Sequence, residues 1–109
     1  VLLLASAVMP ESVSAQTSTG RERKLQLEQN YPNPFNPTTT IAFELPGTGP
    51  ARLVVYDVMG REVATLVDGV LAAGRHTAAF DGRHLASGVY VYRLAYDGRV
   101  VTRTMLLVK

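Results

Sequence analysis

The run Val89–Tyr96 reads VYVYRLAY, followed by Asp97-Gly98 and then by RVVTRTMLLV from Arg99 to Val108. Successive side chains of a strand point to opposite faces. Tyr90, Tyr92, Leu94 and Tyr96 therefore share one face, and Val89, Val91, Arg93 and Ala95 share the other. An Asp-Gly pair between two strand patterns favours a two-residue hairpin, because that turn needs positive φ at both central positions. The sequence thus predicts two antiparallel terminal strands, with a tyrosine-rich face turned towards a core rather than forming a sugar or nucleic-acid platform.

The same grammar repeats upstream: short apolar runs are punctuated by turn residues, with no sustained helical period. Thr38–Leu45 (TTTIAFEL) is β-branched and aromatic and stops at Pro46-Gly47. Arg52–Val58 (RLVVYDV) is almost continuously apolar, which predicts a central strand covered on both faces. Asp57-Val58-Met59-Gly60 then makes a turn, Asp57 bonding the backbone ahead of it and Gly60 taking the left-handed conformation. Glu62–Val67 (EVATLV) ends at Asp68-Gly69, and Arg75–Phe80 (RHTAAF) is opened by Gly74 and closed by Asp81-Gly82. Leu25–Glu28 offers a further edge strand. About six or seven short strands with turns between them predict an all-β, immunoglobulin-like antiparallel sandwich; a small barrel is the second choice. The cysteine and tryptophan hallmarks of antibody domains are missing, since the chain has neither residue.

Composition narrows the function. A chain of 109 residues has room for one domain of modest core. Eleven basic and nine acidic residues leave a net charge of +2, scattered and without a dense basic run, which gives no case for nucleic acid. With no cysteine there is no disulfide, thiol nucleophile or thiolate metal ligand. Val1–Val8 (VLLLASAV) is an apolar run too short to span a bilayer. Val13-Ser14-Ala15 before Gln16 has the small-residue form of a signal-peptidase site. Residues 1–15 are therefore expected to be a signal-peptide remnant, truncated because neither a basic stretch nor an initiator Met precedes it. Residues 16–24 (QTSTGRERK) are expected to be a linker, and 25–109 the folded domain.

The segment Gln29–Pro37 (QNYPNPFNP) is the least generic part of the chain. Three prolines exclude a helix or a central strand and hold the backbone extended. Tyr31 and Phe35 are expected to anchor this rigid loop on the sandwich. From here the chain resembles the type A C-terminal sorting domain of the bacterial type IX secretion system. The resemblance rests on LEQNYPNPFNPTTTIAFELP, RLVVYDVMGREVATLVDG, AGRHTAAFDG, LASGVYVYRL and MLLVK, in that order, and covers Leu25–Lys109. It places the family's motifs on Asn33-Pro34 and Asn36-Pro37, on Gly88-Val89-Tyr90, and on the basic-apolar end from Arg103 through Met105, Leu106 and Leu107 to Lys109. Arg103 departs from the more common lysine. The family's domains end at such a motif, which implies that Lys109 is the native C-terminus.

The resemblance implies a non-catalytic sorting signal on a monomeric domain without cofactor, metal or small-molecule substrate. Its cargo would cross the periplasm and then the outer membrane, to be secreted or held at the cell surface. The implied partners are the outer-membrane translocon and its sortase-like processing machinery. Physically, the terminal strand offers an exposed edge for strand addition, and Arg99, Arg103 and Lys109 offer charge to an acidic receptor. The plainer reading of Met105–Val108, a last core strand with solvated charges, is compatible with this.

Other chemistry has weaker support. Asp81, His84 and Ser87 lie three apart in a turn-rich loop, where Asp and Ser ordinarily bond the local backbone, so a catalytic triad is not expected. His76 is expected to be a partly exposed strand residue. Asp57, Asp68, Asp81 and Asp97 all read as turn residues, with a spacing unlike a calcium loop. Gly88 is read as relieving crowding or allowing positive φ, and Asp97-Gly98 as the hairpin turn. Two alternative classes stay open: a structural immunoglobulin-like module, as in flagellar hook-capping proteins, and an adhesion or carbohydrate-binding module.

Overall fold

The computed structural model describes residues 24–109; the signal-peptide expectation and all but the last residue of the expected linker fall outside them. The strands are β1 (Gln26–Leu27), β2 (Thr38–Leu45), β3 (Gly49–Tyr56), β4 (Glu62–Leu71), β5 (Gly74–Asp81), β6 (Gly88–Tyr96) and β7 (Arg99–Leu107). They form two antiparallel sheets, ordered β1-β2-β5 and β4-β3-β6-β7. This is an immunoglobulin-like sandwich in which β4 lies beside β3. In antibody constant domains the fourth strand instead joins the first sheet.

Period-2 alternation builds the core. Ile41, Phe43 and Leu45 from one sheet meet Leu53, Val55, Tyr92, Leu94, Met105 and Leu107 from the other, all fully buried or nearly so. Burying one such side chain contributes about 1.5–3 kcal/mol, which offsets the entropy of ordering a small domain. The aromatic stripe read from the sequence is this face: Tyr90, Tyr92, Leu94 and Tyr96 are buried, while Val89 and Arg93 are exposed.

The turns follow their residues. Asp97 (φ 51°) and Gly98 (φ 74°) close the β6–β7 hairpin in the doubly left-handed form, with Tyr96 paired to Arg99. Asp57 Oδ1 accepts the amides of Met59 at 2.9 Å and Arg61 at 3.0 Å, and Gly60 has φ 83°. Tyr90 donates its hydroxyl to the Ala86 carbonyl at 2.7 Å, a tyrosine corner that pins the β5–β6 crossing. Gly88 takes φ 149°, and nothing lies where its Cβ would be. Of the two reasons foreseen for this glycine, backbone conformation is the one observed.

Two expectations are corrected. Asp68-Gly69 is not a turn: β4 runs through it to Leu71, because Arg52 and Ala51 of β3 stand opposite and continue the ladder. Arg52 also reaches Asp68 at 3.8 Å. Nor is β3 covered along both faces. On its outer side only Val54 is buried, between its cross-strand partners Thr65 and Arg93, while Arg52 is exposed and Tyr56 half-buried.

Candidate functional site

Residues 25–37 stitch the two sheets together. Their first half pairs antiparallel with β2, Gln26 opposite Glu44 and Leu27 opposite Phe43, and Tyr31 exchanges both backbone bonds with Thr40. Their second half runs parallel to β7. Phe35 donates its amide to the Leu106 carbonyl at 2.9 Å and accepts the Val108 amide at 3.0 Å. A buried polar network holds the segment in place. The Tyr92 hydroxyl donates to the Glu28 carbonyl at 2.7 Å and accepts the Asn30 amide at 2.8 Å. Asn30 Nδ2 donates to Thr39 Oγ1 at 3.0 Å and to the Pro32 carbonyl at 3.1 Å, and Thr39 Oγ1 donates to the same carbonyl at 2.8 Å. Asn30 and Thr39 are 2% and 3% exposed. Such groups stay buried only when bonded.

The loop then meets the end of the chain. Asn33 Oδ1 accepts the Leu106 amide at 3.0 Å. Phe35 is 1% exposed and packs edge-on against Phe80, ring centroids 5.8 Å apart. Gly82 donates its amide to the Pro37 carbonyl at 2.8 Å. It also lets Phe35 and Leu107 approach closely: a Cβ on Gly82 would stand 3.0 Å from Leu107 Cδ2. Lys109 completes the closure, its amide donating to Ser87 Oγ at 3.0 Å and its ammonium to the Arg83 carbonyl at 2.6 Å.

Three stretches separated in sequence thus converge on one end of the sandwich: Asn33–Pro37, Asp81–Tyr90 and Met105–Lys109. Met105 and Leu107 point into the core. Leu106, 38% exposed, lies opposite Val89, 46% exposed, on the outer face of the four-stranded sheet. Val108, Pro34 and Asn36 are exposed beside them. The charges at this end are fixed. Asp81 bonds both the amide and the guanidinium of Arg83, and the guanidinium bond holds its carboxyl below the usual range. Asp57 is lowered likewise, chiefly by the Arg61 amide.

Arg103 is not part of this cluster. Its Nε bonds the Leu27 carbonyl further up β7. Arg99 lies 5.8 Å above the Tyr96 ring, close to the far hairpin, so the three basic residues of the terminal strand are strung along it. Two more expectations change here. Tyr31 does not anchor the loop: its side chain is 81% exposed and only its backbone bonds to Thr40. The edge of the terminal strand is not open throughout either. From Thr104 to Val108 it is occupied by Gln29, Asn33 and Phe35.

Asp81 and Ser87 are each held by a partner outside the set Asp81, His84 and Ser87. Asp81 is held by Arg83, Ser87 accepts the Lys109 amide, and His84 is exposed. His76 stacks on Phe43 with centroids 5.5 Å apart. Among the described residues no three side chains are grouped to hold a metal ion.

The fold is a small immunoglobulin-like sandwich with its least generic residues gathered at one end and held there by backbone bonds and packing. Residues 29–109 match the secretion system C-terminal sorting domain, and the chain belongs to that family, whose members act as secretion signals and not as enzymes. Cargo carrying such domains is secreted or attached to the surface, and the domain interacts with the secretion machinery. A similar solved structure is PorZ, an essential bacterial surface component of the type-IX secretion system of human oral-microbiomic Porphyromonas gingivalis. It is 18% identical with a TM-score of 0.50, over 78% of this chain and 11% of PorZ, a likeness in fold. A search of curated proteins finds no match.

Proposed function

We propose that residues 25–109 form the address by which the type IX outer-membrane translocon takes up a periplasmic cargo, and that the recognised surface is the end of the sandwich described above. Asn33, Pro34, Asn36 and Pro37 shape one side of this surface. Gly88 and Tyr90 fix the loop beside it, and Met105 and Leu107 root the terminal strand so that Leu106 and Lys109 are held at the rim. Arg103 serves instead to tie the terminal strand to β1. After passage, the sortase-like processing machinery would act on the cargo.

The supporting observation is the convergence itself. A receptor that acts on folded cargo needs a rigid, exposed feature, and Asn33, Phe35 and Leu106 interlock to make one. The test is export of a fluorescent reporter fused to residues 16–109 behind a signal peptide, in a host with a working type IX system. Surface or medium reporter, lost on deleting Met105–Lys109 and in a translocon-null strain, is the expected result. A folded reporter held in the periplasm in every case would overturn the reading.

A further inference from the structure

The backbone of β7 that is not covered by the proline-rich loop faces a groove. On this strand the amides and carbonyls of even-numbered residues point away from β6: Val108 and Leu106 reach Phe35, Leu106 also reaches Asn33, and Thr104 reaches Gln29. By the two-residue period of a strand, Val100 and Thr102 point the same way. No described residue bonds their outward groups. Alongside them run two open depressions of about 510 and 490 Å³ between β7 and residues 24–28. Leu25 and Val101 are half-buried along the groove, and Lys24, Arg99 and Arg103 stand at its margins. The acid beside it, Glu28, is held by Arg75, whose hydrogen bond lowers its carboxyl pKa. The outer edge of the same sheet is less suited, because the β3–β4 ladder carries two bulges that twist β4 away.

We propose that the β7 edge at Val100–Thr102 is a strand-addition site for an extended peptide of a partner protein, one that alternates apolar and acidic side chains. Main-chain bonds to Val100 and Thr102 give the register. Acidic side chains turn in towards Lys24 and towards Arg99 and Arg103, which by the two-residue period share the face of Val101, and apolar ones lie on the opposite face beside Val100, which is exposed. The chain's own residues just upstream are a poor occupant, since Arg21 and Arg23 outweigh Glu22 and would be repelled by Lys24, Arg99 and Arg103. The site lies near the cargo junction, away from the end where the sorting motifs converge, and so gives the domain a second contact.

The experiment uses the full chain and a synthetic peptide, Thr-Glu-Val-Glu-Val-Glu-Val-Thr, with a lysine-for-glutamate counterpart. Binding of the glutamate peptide is expected to slow hydrogen exchange at the Val100 and Thr102 amides, and the lysine peptide is expected to bind about tenfold more weakly. Thr102→Pro removes no β6–β7 bond, because that amide points outward, and is expected to abolish binding with the fold intact. Lys24→Glu with Arg99→Glu leaves the backbone edge unchanged and is expected to reverse the preference between the peptides. Unchanged exchange at both amides, or equal binding by Thr102→Pro, would overturn the proposal. Because none of these readouts uses a secreting host, they can fail while the reporter is still exported, and the reverse.

Discussion

The hydroxyl of Tyr92, in the middle of the core stripe of β6, is bonded twice to the backbone of the segment that follows β1: it accepts the Asn30 amide at 2.8 Å and donates to the Glu28 carbonyl at 2.7 Å. One side chain of the four-stranded sheet thereby sets the path of the segment that becomes the proline-rich loop. The bonds from Asn33 and Phe35 to Leu106 follow from that path.

Tyr92→Phe keeps the ring and removes the oxygen, leaving the Glu28 carbonyl and the Asn30 amide without this partner. A loss of about 2–3 kcal/mol in urea unfolding is expected, with faster hydrogen exchange at the Asn30 amide. A stability change within about 0.5 kcal/mol would show that the pair is not needed.

The same hydroxyl gives an alkaline limit. Burial raises the Tyr92 pKa above the ordinary value of 10.0. The folded state therefore holds its proton to higher pH than the unfolded chain does. The associated stability is complete below about pH 10 and falls as pH rises from there through the folded pKa. Urea midpoints from pH 8 to 11 are expected to fall at the top of this range in the native chain and to fall less in Tyr92→Phe.

The two aromatics of the proline-rich loop are expected to behave differently. Phe35→Ala empties a fully buried site against Phe80 and Leu107 and should cost about 3–5 kcal/mol, whereas Tyr31→Ala, at an exposed side chain, should stay within about 0.5 kcal/mol. Thermal or urea unfolding of the two variants decides this, and equal costs would contradict the packing described.

Gly82→Ala places a methyl 3.0 Å from Leu107 Cδ2 and 3.3 Å from Phe35 Cε2. Overpacking there is expected to cost about 1–3 kcal/mol. Adding Leu107→Ala makes room for the methyl, so the double variant should be more stable than the sum of the two single losses implies. Strict additivity would mean that the close approach is not what Gly82 serves.

The strands were legible because alternation and turn residues act over a few positions. VYVYRLAY, Asp97-Gly98 and the Asp57–Gly60 turn all fold as their local chemistry directs. The sequence misled where a partner far along the chain decides. Asp68-Gly69 has the composition of a turn, yet Arg52 across the sheet keeps it in a strand. Tyr31 has the composition of an anchor, but its backbone takes the bonds to Thr40 and its ring faces solvent. Arg103 is exposed, as a solvated charge should be, and also bonds the Leu27 carbonyl, a partner that lies 76 residues away. The buried pair Asn30 and Thr39 went unnoticed, though a signal existed: a tyrosine centred in a core stripe needs a partner for its hydroxyl, and the polar residues nearest the proline-rich loop are the candidates to enclose it. The motifs at the converged end were visible one by one. Their convergence was not, since it rests on contacts spanning more than 70 residues, such as Asn33 with Leu106.

The central claim, that the folded end of the sandwich is the export address, is tested most directly by altering its surface without its core. Leu106 and Val108 are exposed on the outer face, so Leu106→Glu with Val108→Glu should leave the melting temperature of the purified domain within about 3 °C of native. In the reporter assay, the native fusion is expected outside the cell and the doubly substituted fusion in the periplasm. Export of the substituted fusion at the native level would contradict the account.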